Sequence, residues 1–421
     1  MPSEVLYLRG LAHLRLSGNR YTGPILPGLG SLPLLLELDV SINRLKGTLP
    51  ADLLESRSLR ILKAGNNRLS GPVPDALGDM ETLFMLDLSY NRFSGGIPLA
   101  LTRSPSLVHL NLAGNGLVGG VPAELGAMPR LTILALEANP LGGTLPDSLG
   151  NATRLQSLTM TRTGLRGTLP PSMGALGELS NLNLAGNSLE GPIPGEWGGM
   201  YFLNSLDLSL NQLSGEFNPR LGGMANLKDM KLSHNRLSGA LPRQLGRNGF
   251  FHSLESLDLA HNMFYGVLPE DLLDTIYYTN ADGLPEQRTL KVNVGQNSFW
   301  CPLPDWASKV SASCVWLEVH TLAYPEGKDG ASVALIGSGF MRSLADGAQC
   351  IFGNKKTGVV KTDGVWESSS RVLCPDIPSQ GRFKKRKNKF GELEPPREVI
   401  VRLGYNDTIL TKFGQEYAFP A

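Results

Sequence analysis

The sequence predicts a parallel-stranded repeat solenoid followed by a small all-β domain. Three observations predict it: an asparagine returns every 24 residues, leucines alternate in a fixed pattern around it, and leucine count falls from 64 in residues 1–300 to 9 in residues 301–421. Self-similarity at such a period marks a stack of short supersecondary units, none able to bury its apolar face alone. Gly (49 residues) and Pro (29) make up roughly a fifth of the 421-residue chain, well above the usual share. With 41% hydrophobic residues and no Gly at every third position, that excess means regularly placed turns rather than disorder or collagen.

The asparagines are Asn19, Asn43, Asn67, Asn91, Asn115 and Asn139, then Asn187, Asn211 and Asn235, with Thr163 in the missing slot. Asn262 follows after 27 residues and Asn297 after 35, which makes twelve coils. Around each runs LxxLxLxxNxLxGxIP, as in Leu110, Leu112, Asn115, Leu117, Gly119, Val121 and Pro122. The LxL pair is a short strand with one buried face. Copies 24 residues apart stack as parallel strands; twelve of them span roughly 50 Å along the arc. The Asn amide sits where the chain leaves the strand and satisfies backbone groups of its own and neighbouring coils; Thr163 replaces it only in part. The Gly four residues later, present in eleven coils, relaxes a corner, and the Pro seven residues later, present in ten, fixes φ outside the main sheet.

The repeat resembles the plant-type 24-residue leucine-rich repeat over residues 8–304. Similar repeats occur in receptor-like kinase ectodomains, polygalacturonase-inhibiting proteins and kinetoplastid surface antigens. The resemblance implies a right-handed solenoid (residues 1–300) with a concave parallel sheet, a second short sheet after the Asn, and 3₁₀ or irregular convex segments. It implies binding rather than catalysis. Family members carry an N-terminal cysteine cap, which this sequence lacks, so the chain reads as truncated. Cys301-Pro302-Leu303-Pro304 through Trp306 to Cys314 resembles a C-terminal cap (301–317) closed by a Cys301–Cys314 bridge.

Beyond it, β-branched runs at Ser332–Ile336, Val399–Leu403 and Thr408–Phe413 read as a small all-β sandwich. The elements around Gly337, Cys350-Ile351-Phe352-Gly353 and Cys374-Pro375 are similar to the immunoglobulin-like IPT/TIG domain, placed at 318–421. That likeness implies a Cys350–Cys374 bridge. The cysteine count alone fits two disulfides in an oxidising compartment and also four free thiols.

Function is expected on the concave face and in the two long coils. Candidate binding residues are Arg60, Phe84, Met85, Asp87, Tyr90, Glu137, Arg162, Asp207, Leu210, Lys231, His234 and His261, with Phe84 and Met85 expected beside Tyr90. Tyr277 and Tyr278 mark the 35-residue coil. The mixed signs and scattered apolar residues suit a protein or extended peptide, with a glycan as second ligand class. His234 and His261 fall at one register in adjacent coils, but without a third ligand they read as surface histidines rather than a metal site. Asn151-Ala152-Thr153 and Asn406-Asp407-Thr408 are glycosylation sequons, and 382–389 is a basic run read as a solvated loop.

A formal charge of +1 argues against nucleic acid as partner. There is no apolar run of 18 residues, so no membrane span is expected in this chain, and anchoring would fall to missing segments. No nucleotide, metalloprotease, hydrolase or kinase motif occurs, so neither enzyme nor cofactor is expected. The reading is a non-catalytic extracellular or cell-surface recognition module. Its alternatives are a structural surface coat and an intracellular scaffold.

Overall fold

The structure is a computed structural model. It describes residues 2–242, 245, 251, 253–266, 268 and 290–299 in full, and beyond them only the backbone of strands. The chain divides into two compact units: Met1–Met263 with Pro269–Gln296 and Lys309–Ser311, and Phe264–Leu268 with Asn297–Ser308 and Ala312–Ala421.

In the first unit twelve three-residue strands, from His13–Arg15 to Lys291–Asn293, form one parallel sheet in strict sequence order. Pairing is in register throughout: Leu38 faces Leu62, Leu86 faces Leu110, and Leu158 faces Leu182. The central residue of each strand points inward and is buried, as is, from the second coil on, the apolar residue two positions later, such as Leu88 or Leu136. Each such leucine contributes about 2–3 kcal/mol of burial, and only because the neighbouring coils cover it.

The asparagines are the ties between coils. Asn139, 1% exposed, donates from Nδ2 to Leu112 O and Leu136 O, both at 2.9 Å, while its Oδ1 accepts from Leu117 N at 3.1 Å and Asn115 N at 3.2 Å. The same geometry recurs at Asn91, Asn211 and Asn262. Each Oδ1 thereby fixes the N–H two residues past the previous coil's asparagine, which is where the outer strand begins.

Thr163 shows what happens without that oxygen. Its Oγ1 donates to Met160 O at 2.9 Å, replacing one amide bond, but it offers no acceptor to Leu141 N, which turns to Asn139 O instead. The outer sheet runs through five strands to Gly116–Leu117 and resumes at Arg166–Thr168. Between them the Asn139 coil makes no outer strand, and Pro140 supplies no N–H there.

The eleven glycines four residues past the Asn slot, Gly23 to Gly266, all have positive φ. The repeat prolines end that corner. Pro74, Pro98, Pro122, Pro146, Pro170 and Pro194 each precede a five-residue 3₁₀ turn on the convex side. Asn218 replaces Pro and caps its turn directly, accepting from Arg220 N at 2.9 Å. Successive turns stack closely enough that a Cβ on Gly126 would overlap the Ser148 carbonyl. Trp197 is buried with its Nε1 donating to Pro170 O at 2.9 Å. No helix among the described residues is long and apolar enough to cross a membrane.

Near the first strand, buried Glu37 receives Arg15 Nε at 3.0 Å on Oε1 and Nη2 at 2.7 Å on Oε2, with His13 Nδ1 3.0 Å from Oε2. The Arg15 hydrogen bonds outweigh the opposing effect of burial. With the His13 bond and the Arg15 and Lys63 charges they bring the carboxyl down to about 2.

In the second unit, Asn297 Oδ1 accepts from Phe264 N at 3.1 Å, continuing the ladder's geometry. Strands Glu318–Ala323, Ser332–Ser338, Arg371–Pro375 and Val365–Ser368 make one antiparallel sheet. Gly358–Asp363, Ala348–Asn354, Val401–Tyr405 and Thr408–Ile409 make another. The side chains of Cys301, Cys314, Cys350, Cys374, Trp306 and Asn406, and most of the basic run, lie outside the described residues.

Asn139→Ala leaves buried backbone groups in two coils unpaired and is expected to lower stability by about 2–4 kcal/mol in urea unfolding. Thr163→Asn supplies the missing acceptor and should raise stability by about 1 kcal/mol, with Leu141 N re-bonded to the new side chain in a structure of the variant. No gain would refute the account of the break. Because Glu37 titrates far below the ordinary carboxylate value of 4.5, its stabilisation is complete above about pH 4.5 and fades as pH falls toward 2. Urea midpoints of Glu37→Gln should therefore trail the parent at pH 7 by about 1 kcal/mol, discounted because Arg15 stands mostly in solvent, and converge with it in acid.

Candidate functional site: the concave face

Strand register turns each position of the repeat into a row across the concave sheet. The first strand position reads His13, Glu37, Ile61, Met85, His109, Ile133, then Ser157, Asn181, Ser205, Asp229, Ser256 and Lys291. Coils three, four and six thus present half-exposed apolar side chains and coil five the half-buried His109, joined at the preceding position by Phe84, 45% exposed, and Val108. Coils seven to twelve are polar there. In the third strand position Arg15, Asp39, Lys63 and Asp87 alternate in sign, Asn111, Ala135, Thr159 and Asn183 are neutral, and Asp207, Lys231 and Asp258 alternate again.

Most of these polar groups are already engaged. Asp87 Oδ1 accepts from Ser89 N at 2.9 Å, and Asp207 Oδ1 from Ser209 N at 3.0 Å and Oγ at 2.6 Å. Glu137 Oε2 accepts from Thr159 Oγ1 at 2.7 Å. Burial pushes the His109 imidazole below its ordinary pKa, with Asp87 pulling it up and Lys63 pushing it down. Among the described residues, no three His, Cys, Asp or Glu side chains are placed to hold a metal ion.

The position immediately before each asparagine is a turn, not part of the strand. It is left-handed in all twelve coils: Gly18, Gly114 and Gly186 fill three, and Ile42, Asn66, Tyr90, Ala138, Arg162, Leu210, His234, His261 and Gln296 fill the others at φ between 50° and 56°. Its N–H donates to the following coil, as Tyr90 N to Ala113 O at 2.7 Å and Arg162 N to Ala185 O at 2.9 Å. A non-glycine residue here costs about 1–2 kcal/mol, most for β-branched Ile42. Yet Ile42 (59% exposed), Tyr90 (52%) and Leu210 (51%) also expose large apolar groups.

These side chains reach into the next coil: a Cβ on Gly114 would meet the Tyr90 ring, and one on Gly186 the Arg162 stem. The His234 and His261 rings stack with centroids 4.1 Å apart and planes at 11°. Of the expected residues, Phe84 and Met85 stand at the start of the strand that Tyr90 follows, six and five residues before it, so strand and turn separate them along the chain. Arg60 is exposed one position before Ile61, in line with Phe84 of the next coil. The side chains of Tyr277 and Tyr278, on the strand Ile276–Thr279, lie outside the described residues.

Ile61, Val108, His109 and Ile133 were not among the expected residues. Reading the first strand position and the one before it in every copy is the signal that finds them. Gly and Asn in four of the twelve pre-asparagine positions are the signal for its left-handed backbone.

A leucine-rich-repeat family profile matches residues 57–117, and a second leucine-rich-repeat profile matches 178–200 and 253–274. No curated protein sequence matches the chain. Among solved structures it is similar to the plant peptide hormone receptor RGFR1 in complex with RGF2, at 31% identity and TM-score 0.64, over 71% of this chain and 46% of that one. It is also similar to the Arabidopsis receptor kinase HAESA ectodomain in complex with an IDA peptide hormone ligand, at 30% identity and TM-score 0.65, over 76% and 51%. A TDR receptor structure aligns at 26% identity and TM-score 0.62, over 75% of this chain and 61% of that one. The chain spans about half the length of the first two. Profiles, neighbours, the in-register parallel strands and the asparagine ladder agree: the twelve coils are leucine-rich repeats, stacked as a leucine-rich-repeat solenoid.

Proposed function

We propose that this chain is a non-catalytic recognition module of an extracellular or cell-surface receptor or adhesion protein, and that it binds an extended peptide or protein segment along the concave face. The observation that carries this reading is the pre-asparagine row. Bulky exposed side chains occupy left-handed positions where Gly or Asn would be less strained, and an exposed apolar group and local strain together fit selection for contact rather than stability. The apolar strip of Ile61, Phe84, Met85 and Ile133 lies in coils three, four and six, at the start of the strands, and Tyr90 follows the strand of coil four, so a ligand crossing coil four obliquely meets both.

The receptor neighbours support it, since the RGFR1 and HAESA structures are complexes with peptide hormones. The second unit, with its two four-stranded antiparallel sheets, is all-β among the described strands, and we carry its identity as an immunoglobulin-like IPT/TIG sandwich as part of the proposal. An extracellular setting would place sugar on Asn151, which ends the 3₁₀ turn Asp147–Asn151 and is exposed together with Thr153.

The test uses peptides selected from a displayed random library against the full chain. Tyr90→Ala and Arg162→Ala should each weaken selected peptides roughly tenfold, about 1.4 kcal/mol, while Glu124→Ala on the convex side leaves them unchanged. Equal binding to all three variants would move the site off the concave face. Expressed through a eukaryotic secretory route, the chain should lose mass at Asn151 on deglycosylation.

A further inference from the structure

We infer that the outward face of the outer sheet in coils one to four is a binding site for a linear sulfated polysaccharide. The residue immediately after the asparagine is Arg20, Arg44, Arg68 and Arg92 in four consecutive coils, and Lys46 stands two residues past Arg44. All five side chains are exposed. In the outer strands Arg44–Gly47, Arg68–Pro72 and Arg92–Gly95 the arginine points out and the residue after it is buried. The asparagine ladder fixes this arrangement. The residue following each arginine donates its N–H to the Oδ1 of the next coil's asparagine: Tyr21 to Asn43 at 3.0 Å, and Leu45, Leu69 and Phe93 to Asn67, Asn91 and Asn115 at 2.9 Å. Strand pairing sets Arg44 opposite Thr22, Arg68 opposite Lys46 and Arg92 opposite Ser70, the same two-residue offset each time. The arginines therefore form a straight oblique row with a step of roughly 8 Å between Cα atoms.

On the concave face cations are balanced: Arg15 is tied to Glu37, and the third strand position alternates in sign. The outer row has no such balance. The five strands of this sheet contain no carboxylate, and among the described residues none of the five cations makes an ion pair. With a net charge of only +1 on the whole chain, the row is a local concentration rather than a sample of general basicity. Lys46 directly across from Arg68 is an unfavourable pair until an anion lies between them.

The chemistry of the row selects the occupant. Guanidinium forks take oxyanions bidentately. A sulfate ester has three terminal oxygens, enough to accept from Lys46 and from the Arg68 fork together, where a carboxylate has two. Thr22, Ser70 and Ser94 stand between the cations as partners for sugar hydroxyls, and no large apolar side chain is exposed at these outward positions in coils one to four. A peptide would need apolar anchors there, and a single-stranded nucleic acid aromatic platforms. The site lies on a different sheet from the concave face and does not rest on the reading of that face.

The experiment titrates the full chain with a size-defined heparin oligosaccharide by calorimetry at fixed salt, beside Arg44→Gln, Arg68→Gln, Arg92→Gln and the triple variant. Gln already occupies this repeat position at Gln212, so the backbone is compatible, and circular dichroism checks each fold. Two control variants remove the same charge elsewhere: Arg57→Gln with Arg103→Gln and Arg130→Gln, and Lys384→Gln with Lys385→Gln and Arg386→Gln in the basic run. Each single outer-sheet variant should bind roughly fivefold more weakly and the triple variant roughly a hundredfold, while both controls bind as the parent does. Chemically desulfated heparin, poly-glutamate and duplex DNA should all bind the parent more weakly than heparin. No binding by the parent, full binding by the folded triple variant, or equal loss in either control would overturn the site. Desulfated heparin, poly-glutamate or DNA bound as tightly as heparin would overturn its assignment to a sulfated glycan.

Discussion

Everything else in the solenoid hangs on the buried asparagine amide. A turn stacked between two other turns has no water to satisfy its backbone, and every coil here ends its strand in such a turn. One carboxamide meets the need from both sides. Its Nδ2 takes carbonyls of its own coil and of the coil before, and its Oδ1 takes an N–H at the start of the previous outer strand. A group bonded to two coils at once cannot be satisfied by either alone, so the ladder couples neighbours as tightly as the leucines do. It also sets register, because a slip of one residue would strand donors and acceptors along the whole row.

Register in turn creates the proposed recognition surface. Side chains at a given position stand about 4.8 Å apart along the arc, at heights fixed by backbone bonds. The pre-asparagine position follows from this. For its N–H to reach the next coil while the following asparagine turns inward, the backbone must go left-handed, whatever residue is present. Ile42, Tyr90, Leu210 and the two histidines accept that conformation because the ladder over-determines it. Strain is local and the compensating bonds are shared among coils, which is how an array can vary this row freely.

Much of this was legible in the sequence. The period, the inward leucines, the bonding role of the asparagine and the relaxed glycine corner all follow from residue type and spacing, and the parallel sheet, the ladder and eleven positive-φ glycines match them. What was not legible depends on two coils at once. Thr163 plainly lacks a carboxamide, but that its loss removes the outer strand of the preceding coil, near Leu141, requires knowing which way each Oδ1 points. The left-handed row was hidden because bulky residues outnumber Gly and Asn in it. The apolar strip was legible only at Phe84 and Met85, because its other members stand in different coils and come together only through strand register. Tyr90 and Phe84 share one repeat in sequence, yet strand geometry sends one to the exit and the other to the start.

The two ends of the repeat strand therefore do different work. At its start, side chains vary in polarity on an unstrained extended backbone, so exchanging Ile133 for a serine costs little beyond packing. After its end, side chains sit on a backbone that favours Gly or Asn, and each bulky choice costs about 1–2 kcal/mol locally. Drift alone would return the second row toward Gly and Asn, since those residues relieve strain with no loss of ladder bonds. The row has instead kept large groups in most coils, arranged so that Tyr90 and Arg162 lean over Gly114 and Gly186 and His234 stacks on His261. Two bulky residues, Tyr90 and Arg162, are each followed by a glycine that makes room for them, and the two histidines pair in contact. Such fit between neighbouring coils is what the proposed ligand-binding row requires, because a side chain held against its neighbour loses less freedom when a ligand covers it.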